Sequence, residues 1–240
     1  TLAILAVQGR DIKLSQEKLE QMRNFTNKLY NASKYLLMNA DSFPDLADIE
    51  IKTDLGRYMK SRLSVATKEV RDYIDSYRFN DAATVLYRFL WGEFCDWGIE
   101  LSKAEKSSVS ELGAIFKEAM KLTHPFMPFI SEFLYQELSD TKLEDVESIM
   151  VKNYPVAAKK DEEIEKIFEL VIESIVSIRR AKATIEIPGK IETLSIKLND
   201  NIDLTKAIPF LKLLGKSAQI NFVTQKLEDS VRDVSDNLEV

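Results

Sequence analysis

The sequence predicts a mainly α protein, an antiparallel helix bundle followed by a small α/β appendage. Apolar residues recur at three- and four-residue spacing in successive stretches up to Leu138, the pattern of helices with one buried face. Only 7 glycines and 6 prolines occur in 240 residues, and most prolines stand where a helix would start or stop. After Lys190 the apolar spacing switches to alternation, which is the strand period.

The opening TLAILAVQGRD is apolar but short and has no basic leader, so it reads as a helix end rather than a signal peptide. Gly9 to Leu14 is an extended connector. Ser15 is a good N-cap, with Lys18 instead of Glu at the third position, so half a capping box starts a helix running to about Ala40. Asp41 to Ile51, with Pro44, is a loop. A second helix covers Thr53 to Ser76 on Leu55, Tyr58, Met59, Leu63, Ala66 and Val70. A break at Tyr77 to Phe79 precedes a third from Asn80 to about Lys103, and Ser107 to Leu122 forms a fourth. Pro125 and Pro128 initiate a fifth, with Phe129, Ile130, Phe133, Leu134 and Leu138 as its apolar residues.

Such helices with short loops make a bundle, assigned to residues 1–157. Thr141 to Pro155 is a linker of mixed charge. Residues 158–240 form a second unit. Asp161 opens a long helix ending at Arg179-Arg180-Ala181-Lys182, and Ile191 to Leu198 alternates as a strand. Leu204 to Leu214 is a short helix with Gly215 as its stop, Gln219 to Val223 a second strand, and Ser230 to Val240 a third with an exposed edge.

Composition bounds the function. A hydrophobic content of 45% with 30% charged residues describes a soluble globular chain. No apolar run approaches the ~18 residues of a membrane span, so no membrane partner is expected. A lone cysteine, Cys95, excludes an internal disulfide and fits a reducing cytoplasm. The net charge of −6 argues against a nucleic-acid partner, but it is unevenly spread. Residues 1–73 net +2 and the rest −8, while residues 10–40 and 52–73 each net +3. Phosphates would meet this end of the molecule. The alternative is that these cations are ordinary solvated helix faces.

Catalysis finds no foothold. His124 is the only histidine and precedes Pro125, the place of a residue closing a helix–helix turn. One His and one Cys supply neither a triad nor a zinc site. Cys95, between Phe94 and Trp97, reads as a small core residue, and Trp91 and Trp97 as core anchors. The glycines are scattered, with no phosphate loop. No metal site is expected.

The first helix is unusual. Met22, Phe25, Leu29, Ala32 and Leu36 form its apolar stripe, and Asn24, Asn27, Lys28, Asn31 and Tyr35 a neighbouring polar one, flanked on its far side by Arg23, Tyr30 and Lys34. An ordinary solvent face uses Glu and Lys pairs, because they favour helix. Three asparagines sharing a face with cations and a tyrosine offer base-edge hydrogen bonds, phosphate contacts and a stacking surface, as unpaired RNA requires. Alternatively, the asparagines satisfy one another between packed helices, or the face docks a partner helix in a protein-interaction module without RNA binding.

Ordered motifs then point to a family. Gly9-Arg10-Asp11-Ile12-Lys13-Leu14-Ser15, Arg23-Asn24-Phe25 and Asn27-Lys28-Leu29-Tyr30-Asn31-Ala32 resemble the bacterial valyl-tRNA synthetases just after their catalytic domain. The likeness continues through Ser61-Arg62-Leu63, Tyr77-Arg78-Phe79-Asn80-Asp81-Ala82-Ala83, Glu93-Phe94-Cys95-Asp96-Trp97 and His124-Pro125-Phe126-Met127-Pro128-Phe129-Ile130. The last element is shared widely among class I aminoacyl-tRNA synthetases; the first and the Glu-Phe-Cys-Asp-Trp block are specific to the valine enzyme. The resemblance implies the class I anticodon-binding bundle of a valine–tRNA ligase, with the tRNA(Val) anticodon stem-loop as partner. It also implies a parent that uses ATP and Mg, with catalytic and editing domains of the same polypeptide.

The ATP signatures and the editing domain are absent, so no cofactor is expected on this fragment, which reads as excised, monomeric and truncated before the family's coiled-coil arm. By the resemblance, Tyr35 stands where an aromatic stacks on an anticodon base, with Arg23, Asn27, Lys28, Asn31 and Lys34 near the same loop. Arg10 and Lys13 fall near the junction with the catalytic domain. Two departures follow. Gly98 stands where the family commonly has Tyr, which predicts looser local packing, and Gly189-Lys190 replaces a proline and a lysine pair, which predicts a shorter loop.

Overall fold

A computed structural model describes residues 15–139, 147–184, 189–198, 202–224, 233–234 and 237–239. They fall into two compact units, Thr1–Ser102 with Lys106–Asp161, and Lys103–Glu105 with Glu162–Val240.

The first unit is helical. Helix α1 spans Gln16–Asn39, and the Ser15 hydroxyl accepts from the Lys18 N–H at 3.4 Å. The expected apolar stripe is its core face, with Phe25, Leu29, Ala32 and Leu36 buried. Helix α2 spans Asp54–Asp75 with Thr53 as N-cap. It ends in a Schellman turn, with Tyr77 left-handed at φ 57° and the Arg78 N–H reaching back to the Tyr73 carbonyl at 2.8 Å. Helix α3 (Phe79–Tyr87) leads without a break into a π-wound segment, Arg88–Gly98, and a last α-turn, α4 (Ile99–Ser102). The sequence predicts ordinary α-helix over this stretch, because apolar periodicity does not distinguish one winding from the other.

Helix α5 (Val109–Thr123) is the most deeply buried and packs on α1, α2 and α6 (Pro128–Glu137). The loop after α1 is pinned to it. Phe43 is buried against Gly113, where an added Cβ would lie 1.9 Å from the Phe43 ring. The buried Lys117 ammonium donates to the Phe43 carbonyl at 2.8 Å and pairs with Asp45 at 2.8 Å. Gly98 does not loosen its surroundings as expected. A Cβ there would sit 3.3 Å from the Met59 sulfur, so the missing side chain lets α2 approach closely.

The apolar residues assigned to α6 do not all enter the core. Leu134 and Leu138 are buried, but Phe133 is 43% exposed and Phe129 is 89% exposed. Trp91 and Trp97 are half-buried rather than core anchors.

In the second unit, α7 (Glu162–Thr184) is followed by β1 (Ile191–Leu198), α8 (Ile208–Gly215) and β2 (Ser217–Phe222). The two strands pair in parallel with Ile191 opposite Ser217, as a strand–helix–strand crossover requires. The helix ends at Gly215, as expected, close to Ile178, and the left-handed residue is the next one, Lys216, at φ 51°. Of the expected third strand, the described part is Leu238–Glu239 (β3), antiparallel to β1 and giving the order β2-β1-β3. Among the described residues no helix is long and apolar enough to cross a membrane.

Candidate nucleic-acid interface

The polar face of α1 divides into two edges with different fates. Asn24, Asn27, Asn31, Arg23 and Lys34 are not buried, and none of their side chains makes a hydrogen bond or ion pair within the described residues. The asparagines therefore do not satisfy one another between helices. Their polar atoms are open to solvent, with a cation at each end of the row.

The edge next to the π-segment is committed internally. Lys28 places its ammonium 3.8 Å from the Trp91 ring centroid and pairs with Asp96. Trp91 in turn stacks on Tyr87 at 5.6 Å. Residues five apart on an α-helix point ~140° away from each other; π winding, with its i→i+5 bonds, brings Trp91 and Asp96 to one lysine. Lys28, expected at a phosphate, is instead a bolt between α1 and this segment.

Tyr35 is half-buried on the same edge. Its hydroxyl lies 3.0 Å from the Ser102 hydroxyl, and the Lys106 ammonium sits 5.2 Å from its ring centroid. Lys106 also donates to the Asn39 side-chain oxygen at 2.6 Å, and the Asn39 amide donates to the Tyr35 carbonyl at 2.7 Å. No local pattern signals Lys106 as a partner, because it lies 71 positions away in the chain. Arg10 and Lys13 lie outside the described residues.

The second cationic segment is mostly a scaffold. Arg57 pairs with Asp54 at 3.3 Å and Asp161 at 2.8 Å, and Lys68 with Asp72 at 2.7 Å. Arg62 holds both Glu93 oxygens at 2.8 and 3.0 Å, and Lys52 pairs with Glu50 at 3.2 Å. Arg71 donates to the Pro155 carbonyl at 2.9 Å. Most of its cations thus have a partner inside the protein, which favours the solvated or structural reading there and leaves α1 as the open cationic surface.

Cys95 and His124, the two residues weighed for catalysis, both have structural surroundings. Burial pushes the Cys95 thiol up to about 12, so it is a core residue rather than a nucleophile. The His124 ring is tied to the Ser131 hydroxyl at 2.9 Å at the start of α6, the turn-closing role its position suggests. Among the described residues no three His, Cys, Asp or Glu side chains are grouped to hold a metal ion.

A family model described as the anticodon-binding domain of tRNA ligase matches residues 56–198. That span begins within α2, so α1 is compared only through relatives that cover the whole chain. A valine–tRNA ligase of a Nitratiruptor species is 58% identical over all 240 residues, and one of Campylobacter jejuni is 57% identical over 100% of the chain. A valine–tRNA ligase of Helicobacter pylori is 50% identical over 98% of it. The chain spans 27% to 28% of the length of these relatives. A solved LeuRS–tRNA–LeuAMS complex from Agrobacterium radiobacter aligns with 95% of the chain and 28% of its own, at 14% identity and a TM-score of 0.48, too loosely to inform the fold. With the family model matching more than half of its residues, the chain belongs to the anticodon-binding domain family of tRNA ligases.

Proposed function

We propose that this chain binds the anticodon stem-loop of valine tRNA and positions it for aminoacylation by a longer valine–tRNA ligase. The observation that carries the reading is the outward row of Arg23, Asn27, Asn31 and Lys34 on α1, polar and cationic yet without partners among the described residues. Arg23 and Lys34 meet phosphates, and the asparagines present both donors and acceptors to base edges. Tyr35 stands at the rim of this row, held by Ser102 and Lys106, while Lys28 on the same edge is held by Trp91 and Asp96. Arg10 and Lys13 belong to the inner side of the tRNA, toward the catalytic domain.

The ATP and magnesium chemistry, and the editing of mischarged threonine, belong to other domains of the longer protein. We place the protein in the cytoplasm as a single copy beside its own catalytic domain. The lone buried Cys95 supports a reducing compartment.

Titration of valine tRNA transcripts with the whole chain across a salt series tests this. The log–log slope of affinity against salt is expected to flatten by about one unit when Lys34 is replaced by glutamine. A changed anticodon loop is expected to bind more weakly. Binding that ignores both salt and anticodon sequence would contradict the proposal.

A further inference from the structure

The far edge of α1 carries a feature the polar row does not explain. Tyr30 is 44% exposed and packs its ring nearly parallel to that of Phe133 on α6, at 6.4 Å between centroids and 23° between planes. Phe133 is 43% exposed, and Phe129, one turn earlier on α6, is 89% exposed. Exposed apolar clusters can mark a surface that meets a partner or ligand. Tyr30 lies one turn from Lys34 and two from Arg23, so on the helix surface both open cations border its ring. Aromatic faces bordered by unpaired cations are the platform on which unpaired nucleotides stack while their phosphates are held.

We infer that Tyr30 and Phe133 form a stacking platform for an unpaired RNA base, with Arg23 and Lys34 holding the adjoining phosphates. The inference rests on the proposed anticodon-loop function and assigns to it a second aromatic contact, on the opposite edge of α1 from Tyr35. The two tyrosines are built for different work. Tyr35 has its hydroxyl tied to Ser102 and an ammonium over its ring. Tyr30 has no such clamp among the described residues, and its ring rests on Phe133. A protein surface docked on this patch would use the same apolar area, but would have no need of flat rings or of bordering cations. Glu137, one turn beyond Phe133 and exposed, limits the phosphate-holding side to α1.

Leucine substitution separates these uses, because it keeps apolar bulk and removes the flat ring. The whole chain carrying Tyr30→Leu or Phe133→Leu is titrated with a labelled valine anticodon hairpin, and with the same hairpin lacking its loop bases. Each leucine variant is expected to bind the intact hairpin about 5- to 10-fold more weakly, with an unchanged salt slope. Tyr30→Phe is expected to bind as wild type, and the base-free hairpin is expected not to distinguish leucine from wild type. Wild-type affinity in both leucine variants overturns the platform and leaves the anticodon reading standing; so does a loss matched by a large fall in melting temperature, which would mark a packing role. Failure of the wild-type chain to bind the hairpin at all overturns the anticodon reading and the platform with it.

Discussion

Replacing Arg23 and Lys34 together by glutamate is expected to weaken binding to valine tRNA by roughly 100-fold at ~0.1 M salt. Neither cation has a partner among the described residues, so each is available to a phosphate. Its loss removes a counterion-releasing contact, and the carboxylate that replaces it repels the same phosphate. The salt slope is expected to flatten by about two units. Since neither side chain holds the fold together, the melting temperature should barely move, in keeping with surface changes of ~0.5 kcal/mol or less. Lys68→Glu is the control. Lys68 carries the same positive charge but is paired with Asp72 on α2, away from the open row, and its reversal is expected to leave binding near wild type.

Glu111→Ala is expected to cost more stability than any of these surface changes, about 3 kcal/mol. The carboxylate is 5% exposed and accepts from the Lys52 N–H at 2.7 Å, the Thr53 N–H at 3.2 Å and the Thr53 hydroxyl at 2.5 Å. The Thr53 hydroxyl in turn caps α2 by accepting from the Gly56 N–H at 2.9 Å. One residue on α5 thus holds the start of α2 through a relay. Removing it leaves backbone donors that are poorly reached by water, beside a cavity the carboxylate had filled. For a chain of this size the melting temperature is expected to fall by roughly 6 to 12 °C, measured by thermal or urea unfolding. Glu111→Gln, which keeps one acceptor oxygen, should fall between the two. A shift within error of wild type would show that α2 is capped independently of α5.

Much of this is legible in the chain because it is local. The helix start at Ser15 follows from its side-chain cap, and the core face of α1 from the spacing of Phe25, Leu29, Ala32 and Leu36. The polar character of the opposite face is equally plain. What local sequence does not reveal is which of its residues remain open. Lys28 and Lys34 look alike in sequence, six positions apart on one helix. Lys28 is consumed by Trp91 and Asp96 because a π-wound segment passes beneath it, and Lys34 is not. Tyr35 meets Lys106, and Tyr30 meets Phe133, through contacts made only when distant helices pack.

The same holds for the charge count. Residues 52–73 and 10–40 carry equal net charge. In the first segment most cations are neutralised, some by acids such as Glu93 and Asp161 supplied from elsewhere in the fold. In α6, Phe129, Ile130, Phe133 and Leu134 span no wider an arc than an ordinary buried stripe, so the sequence does not show that Phe129 and Phe133 stand outward.

RNA is expected to meet the open row on α1, and amide chemical-shift mapping reads this residue by residue. The labelled chain is titrated with the valine anticodon hairpin. The largest changes are expected at Arg23, Asn27, Tyr30, Asn31 and Lys34, while the paired face of α2 around Arg57 and Lys68 stays unchanged. Largest changes along α2 or in residues 162–240, with α1 unmoved, would contradict it.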